Sequence, residues 1–354
     1  MITKLNLQDF RNFKKRKIEF SGKTTVIVGQ NGAGKTNILE AINLLSTGKS
    51  FKAVREEEML AHDKEIGRVV GETDEKVLLE AVLTRGQVDI GTSRKRIVAK
   101  KRLLINGVGK RLIDFSGQLK TVLFGPWDMD LITESPSVRR KFLDDVISKT
   151  DREYHRSVMS YEKGLRRRNR VLVRIREEGV SRSNLLFWDK LLIKNGNYIT
   201  KKRREFLDFT NETSDLDGIS FETSYLDSAI SQTRLEQYAK EEIYSATTLV
   251  GPHRDDFEVQ VRKGGTVFRS LDKYGSRGEQ RMGVLWLKLS ELAFVKKMTN
   301  EPPTLLLDDI FSELDHKHRK VVVKVVKKQQ TIITTADPHF VEDFKDVDTV
   351  NLSS

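Results

Sequence analysis

The sequence predicts an α/β fold in which a mixed β lobe and a parallel sheet form one head, interrupted by an inserted antiparallel helical hairpin. Three observations lead there. A strand, a glycine loop and a helix follow one another from Val26 to Leu45; a second apolar strand ends in two carboxylates, Asp308 and Asp309; and the apolar residues between 151 and 206 fall into helical three- and four-residue steps. At 354 residues the chain exceeds the length at which a single core keeps growing, so two lobes or an inserted domain are expected. The pattern divides it into a discontinuous head, 1–145 and 215–354, and a helical arm, 146–214.

The first third reads as short strands with turns between them: Ile2 to Leu7, Arg16 to Phe20, Thr24 to Val28, Val69 to Val82 and Ile97 to Ile105. Asn106-Gly107 marks a hairpin, because both residues tolerate the positive φ that a two-residue turn demands. One helix, Thr36 to Leu45, interrupts the strands, with Ile38, Ile42 and Leu45 at helical spacing. From Asp151 the period changes. Val158, Tyr161, Leu165, Leu172 and Ile175 form one apolar series, with Arg168 in its missing place, and Leu185, Trp188, Leu192, Ile199 and Phe206 form a second. Glu177-Glu178-Gly179 ends the first helix, and Ser181 or Ser183 caps the next. Strands return at Ile219 to Tyr225 and Phe257 to Val261, followed by a helix from about Ser276 to Lys297 and a strand, helix, strand alternation.

Composition narrows the chemistry. With no cysteine, the chain has no disulfide, thiolate zinc site or cysteine nucleophile. The segment Met1 to Phe10 alternates polar and apolar residues, unlike a signal peptide, and no run approaches the roughly 20 apolar residues of a membrane helix. A cytoplasmic protein without a membrane partner is expected.

Gly29-Gln30-Asn31-Gly32-Ala33-Gly34-Lys35-Thr36 matches GxxxxGK[ST] between the strand Val26 to Val28 and the next helix, and these residues with Asn37 are expected at the nucleotide. Glycines let backbone N–H groups close around phosphate oxygens, and the helix N-terminus adds a favourable dipole. Lys35 neutralises β and γ phosphates and the Thr36 hydroxyl ligates magnesium, so ATP and Mg2+ are the expected cofactors. The strand Thr304 to Leu307 ends where open α/β sheets bind ligands; Asp308 is expected to hold the metal and Asp309 to orient or polarise the attacking water. Ser276 and Glu279 form a capping box before a helix carrying Met282, Leu285, Leu289 and Leu292.

Charge is concentrated. Of a net +12, an excess of ten lies between Asp151 and Arg204, where sixteen Lys or Arg face six Asp or Glu. Arg166, Arg167, Arg168, Arg170, Arg174 and Arg176 crowd one helix, and Lys201, Lys202, Arg203 and Arg204 the other. A second strip, Arg94 to Arg96, Lys100 to Arg102 and Lys110 to Arg111, flanks the Asn106-Gly107 turn. Neither has the aromatic interleaving of a single-strand platform, so backbone contacts to duplex DNA are expected. His253 and Arg254 have no second histidine near them and are read as structural or interface residues.

The P-loop, the inserted hairpin, the Ser276-x-Gly278-x-Gln280 helix start and the Leu305-Leu306-Leu307-Asp308-Asp309 strand together resemble the ABC-type ATPase heads of the SMC and RecF group. Further segments resemble the RecF family within it: Asp9-Phe10-Arg11-Asn12-Phe13, Lys35 to Ala41, Gly48-Lys49-Ser50-Phe51-Lys52, Pro136 with Arg139 to Asp144, and Gly251 to Asp256. These matches span the chain, and the short hairpin differs from the long coiled coils of SMC proteins. The resemblance implies an ATP-dependent homodimer in which Ser276 and Gly278, with Gln280, complete the partner's P-loop, while Ser312 to Asp315 lines the interface. It also implies slow hydrolysis using Lys35, Asp309 and Ser276, binding to double-stranded and gapped DNA, and cooperation with RecO and RecR in loading RecA. Trp127 stands where the family carries an acidic residue, Ala336 where transporter ATPases carry a switch histidine, and Asp309 where the wider class has glutamate. Thr334 or Thr335 is the expected phosphate sensor, and the short Asp309 side chain implies slow turnover. The rival reading, the nucleotide-binding subunit of a membrane transporter, is opposed by the basic arm and the missing histidine.

Overall fold

The alternating segments at the start of the chain assemble into a six-stranded antiparallel sheet. Its order is Phe13–Glu19, Ile2–Phe10, Ile66–Thr73, Leu78–Thr84, Lys101–Ile105 and Val108–Lys110. The stretch expected as one strand from Val69 to Val82 turns back on itself at Asp74–Val77, where Lys76 takes φ 59°. The stretch from Ile97 to Ile105 is likewise divided: Lys95–Ile97 pairs with Gln87–Asp89 in a separate ribbon, and Lys101–Ile105 joins the main sheet. Asn106 and Gly107 form the hairpin turn at φ 49° and 77°, both left-handed as a type I′ turn requires. The computed structural model describes residues 1–89, 95–213, 215–216, 218–264, 267–312, 316–337, 339 and 347–352.

A second, five-stranded sheet is parallel throughout, in the order Thr121–Phe124, Thr304–Asp308, Thr331–Thr335, Thr24–Gly29 and Asp348–Leu352. Thr304–Asp308 and Thr331–Thr335 are buried at every position, which is why neither shows the apolar–polar alternation of a half-buried strand. The helix Lys35–Thr47 shares one core with both sheets: Ile38, Leu39, Ile42 and Leu45 lie among Leu5, Leu7 and Val69 of the antiparallel sheet and Leu306 and Ile332 of the parallel one. Its approach is close at Gly71, where a Cβ would stand 2.5 Å from Leu45 Cδ1.

These elements belong to one compact unit, Met1–Asp128 with Val295–Ser354; the other unit is Met129–Phe294. The arm lies in the latter as two antiparallel helices, Arg152–Glu178 and Leu186–Asn211. Asp151 caps the first helix by accepting the Tyr154 N–H at 2.8 Å, Gly179 ends it at φ 67°, and Ser181 caps the short 3-10 turn Arg182–Leu185 that leads into the second. The expected arm, 146–214, shares this unit with residues 129–145 and 215–294. There the helix Pro136–Ser148 and a four-stranded antiparallel sheet, Asp215–Leu216, Ile219–Leu226, Asp256–Lys263 and Arg269–Ser270, surround the arm's root. Asn211 joins arm to sheet by accepting the Thr223 N–H at 2.8 Å and donating to the Thr223 carbonyl at 3.0 Å. Among the described residues no helix is long and apolar enough to cross a membrane.

Candidate nucleotide site and basic arm

The loop after Thr24–Gly29 is built for an anion. Gly32 and Gly34 adopt φ 86° and 99°, and the helix Lys35–Thr47 begins without a side-chain cap, leaving its first N–H groups for a ligand. A Cβ on Gly34 would lie 2.6 Å from the Asn12 amide and 2.7 Å from the Phe13 ring, so the turn between the first two strands lies directly on the loop. Asn12 donates to the Ala33 carbonyl at 3.1 Å and accepts from the Asn37 amide at 2.9 Å. Asn37, expected at the nucleotide, thus braces the loop from behind. Arg11 clamps the fully buried Glu40 with two hydrogen bonds, 2.8 and 2.6 Å, and the Ser50 hydroxyl donates to the same carboxylate. The segments Asp9–Phe13, Lys35–Ala41 and Gly48–Lys52 are therefore one hydrogen-bonded frame around the P-loop.

Lys35 is 8% exposed and its ammonium donates to the Gly29 and Gln30 carbonyls at 2.6 and 3.1 Å, held inside the loop where phosphate oxygens would replace them. The Thr36 hydroxyl reaches the Asp308 carboxylate at 2.9 and 3.0 Å. No cluster of three or more His, Cys, Asp or Glu occurs among the described residues. One carboxylate with one hydroxyl fits magnesium, which keeps several waters and takes phosphate oxygens rather than a protein cage. Asp308 is 4% exposed and also accepts from the buried Thr334 hydroxyl at 2.6 Å. Asp309 follows at φ 50°. The Thr334 hydroxyl is thus turned to Asp308, and the Thr335 hydroxyl is engaged with the Asp337 backbone. Trp127, unassigned from sequence, stacks on Phe51 with ring centroids 4.8 Å apart.

In the second unit the capping box forms as expected: the Ser276 N–H donates to Glu279 at 2.8 Å and the Glu279 N–H to the Ser276 hydroxyl at 3.3 Å. Partial burial works to raise the Glu279 carboxyl, but Ser276 and Arg269 together hold it below its ordinary value. Ser276 and Gly278 are exposed, with open space around Gly278. Gln280 differs from expectation. It is buried, and its amide donates to the Leu271 and Asp272 carbonyls at 3.4 and 3.3 Å, bracing the preceding turn. Of the expected interface loop Ser312 to Asp315, residues 313–315 lie outside the described residues, as does Arg94 of the second basic strip.

The arm's cations sort into two groups. Arg166, Arg167, Arg170, Lys201 and Arg204 are exposed, Lys202 partly so. Arg168 and Arg203 are 2% and 3% exposed, and their assignment as DNA contacts is corrected. Arg168 is paired with Asp189 and Glu242, each at 2.7 Å, and Arg203 with Asp144 at 2.9 Å and Asp255 at 3.0 Å. Both occupy the apolar register of their helices, Arg168 in the gap after Leu165 and Arg203 four residues after Ile199; that register was the available signal. Arg203 also donates to the Pro252 carbonyl at 2.7 Å, which gives Gly251 to Asp256 its role: this loop receives the root of the arm. Gly251, at φ 125°, lies against the Tyr161 hydroxyl, and Tyr161 bonds His253 Nδ1 at 2.9 Å while His253 Nε2 meets the Thr248 carbonyl at 3.0 Å. Burial lowers the His253 imidazole to about 4.

Comparison with known proteins agrees with this geometry. The RecF/RecN/SMC N terminal domain family model matches residues 1–353. The DNA replication and repair protein RecF of Herpetosiphon aurantiacus is 34% identical over 373 residues, covering 95% of this chain and 93% of that protein. RecF of Agathobacter rectalis is 34% identical over 365 residues, covering 99% and 96%. The solved structure of the recombination mediator protein RecF-ATPrS in the RecFOR pathway superposes with a TM-score of 0.86 at 31% identity, covering 99% of this chain and 96% of that one. An Smc head domain from Pyrococcus furiosus shares the fold, with a TM-score of 0.53 at 19% identity.

Proposed function

Because the chain belongs to the RecF family of DNA replication and repair proteins, with the ATPase head of the RecF and SMC group, we propose that it is an ATP-driven clamp on duplex DNA. ATP bound by one copy is completed by Ser276 and Gly278 of a second copy, and the closed homodimer holds double-stranded DNA near single-strand gaps. There it assists RecO and RecR in loading RecA. The observation that supports the reading is the junction of Lys35, Thr36 and Asp308 on adjoining segments, the residue types that a magnesium-bound triphosphate requires.

Within one copy, the P-loop N–H groups and Lys35 bind and neutralise the phosphates, Thr36 and Asp308 hold the magnesium ion, and Asp309 orients water. Magnesium, when bound, screens charge developing on the transferred phosphoryl group. Weak, DNA-stimulated hydrolysis reopens the clamp, so turnover serves as a timer. The exposed arm cations Arg166, Arg167, Arg170, Lys201 and Arg204 supply phosphate contacts without base readout. Duplex binding measured against salt with ATP, with ADP and without nucleotide tests this: tight, salt-sensitive binding only with ATP supports the clamp, and affinity indifferent to nucleotide contradicts it.

A further inference from the structure

Thr331–Thr335 lies between the P-loop strand and the strand that ends in Asp308, and its fourth residue is registered against both Ile27 and Asp308. Thr334 is fully buried. Its hydroxyl donates to Asp308 Oδ1 at 2.6 Å, and its oxygen accepts the Asp309 N–H at 3.2 Å; the same N–H meets the Thr334 carbonyl at 3.2 Å. One side chain thus touches the carboxyl group of the first aspartate and the backbone of the second.

The backbone contact matters because of Asp309's conformation. In a continuing strand, successive side chains point to opposite faces, so Asp309 would face away from Asp308. At φ 50° Asp309 leaves the strand through a left-handed turn and is freed from that alternation. Such a turn disfavours most residues, but Asp and Asn adopt it several-fold more readily than other side chains. A short carboxylate in place of the wider class's glutamate fits this turn.

We propose that Thr334 is the positioning residue of the hydrolytic centre: its hydroxyl orients Asp308 toward the metal, and its hold on the Asp309 N–H fixes the left-handed turn that aims the water-orienting carboxylate. The inference rests on the ATPase reading given above. It makes Thr334 a structural support for both carboxylates rather than a nucleotide contact, and it accounts for aspartate at 309.

Thr334→Val keeps the shape and removes the hydroxyl; Thr334→Ser restores it. For each, ATP affinity without divalent metal, Mn2+ affinity of the ATP complex by electron paramagnetic resonance, and single-turnover hydrolysis are measured on the full chain. Thr334→Val is expected to bind metal-free ATP as the wild type does, and to lose about tenfold or more in both Mn2+ affinity and hydrolysis rate. Thr334→Ser recovers both. Wild-type Mn2+ affinity in Thr334→Val, or a serine variant as impaired as the valine one, overturns the proposal. Asp309→Asn and Asp309→Val give an independent reading that does not require Thr334→Val to fold: asparagine, which tolerates the left-handed turn, is expected to keep wild-type stability in urea unfolding and valine to lower it, and equal stabilities overturn the assignment of the turn. Lys35→Ala separates the two levels. Wild-type hydrolysis no faster than in Lys35→Ala would sink the ATPase reading, while the Mn2+ titration still judges Thr334.

Discussion

Glu40 is fully buried one helical turn beyond Thr36, and its carboxylate is compensated by Arg11 and Ser50. Glu40→Ala leaves the Arg11 guanidinium, 16% exposed, without its counter-charge. A loss of about 3–5 kcal/mol is expected in urea unfolding, and unchanged stability would remove this frame from the account. Residues of this scale were unequally legible. Gly29 to Thr36 could be read because the loop's backbone chemistry demands those residue types in that order. Glu40 could not, because a glutamate within a helix reads as solvated until the partners that dry it are placed. Arg168 and Arg203 were misread for the same reason: charge was counted along the chain, whereas burial depends on what packs across from it.

At the scale of elements, the arm has a solvated face and a paired, buried root. Alanine at Arg167 or Arg170 is expected to leave stability unchanged and to lower the salt dependence of duplex binding by about one unit of slope each; an unchanged slope would mean DNA lies elsewhere. Arg203→Ala should cost about 3–5 kcal/mol in unfolding, because Asp144 and Asp255 lose the charge that compensates them. The root is also sensitive to pH. His253 has its folded pKa depressed to about 4 by burial, against an ordinary value near 6.5. The unfolded chain therefore binds the extra proton between these values, and stability is full above about pH 6.5 and declines as pH falls toward 4, by about 3 kcal/mol in all. Thermal unfolding of His253→Gln across that window should show a flatter pH dependence; an unaltered profile contradicts the assignment. The helical hairpin itself was legible from its three- and four-residue steps and its caps. Around its root the strands Ile219–Leu226 and Asp256–Lys263 were anticipated, but the helix Pro136–Ser148 and the packing of both against the arm were not, because periodicity describes one element at a time.

For the molecule as a whole, the strand Thr24–Gly29, the helix that follows it and the strand Thr304–Asp308 with its carboxylates could be anticipated, whereas the parallel sheet's edge strand Thr121–Phe124 could not. The grouping of residues 129–294 into one unit depends on long-range packing that no local pattern encodes. The central claim is that each nucleotide site is shared between copies, with Lys35 from one and Ser276 from the other. Mixing Lys35→Ala with Ser276→Arg tests it most directly, because a mixed dimer places both defects in one site and leaves the other intact. Each variant alone should be inactive, and an equal mixture should recover about a quarter of wild-type ATP hydrolysis if copies pair at random. A mixture no more active than its two parents would contradict the shared site.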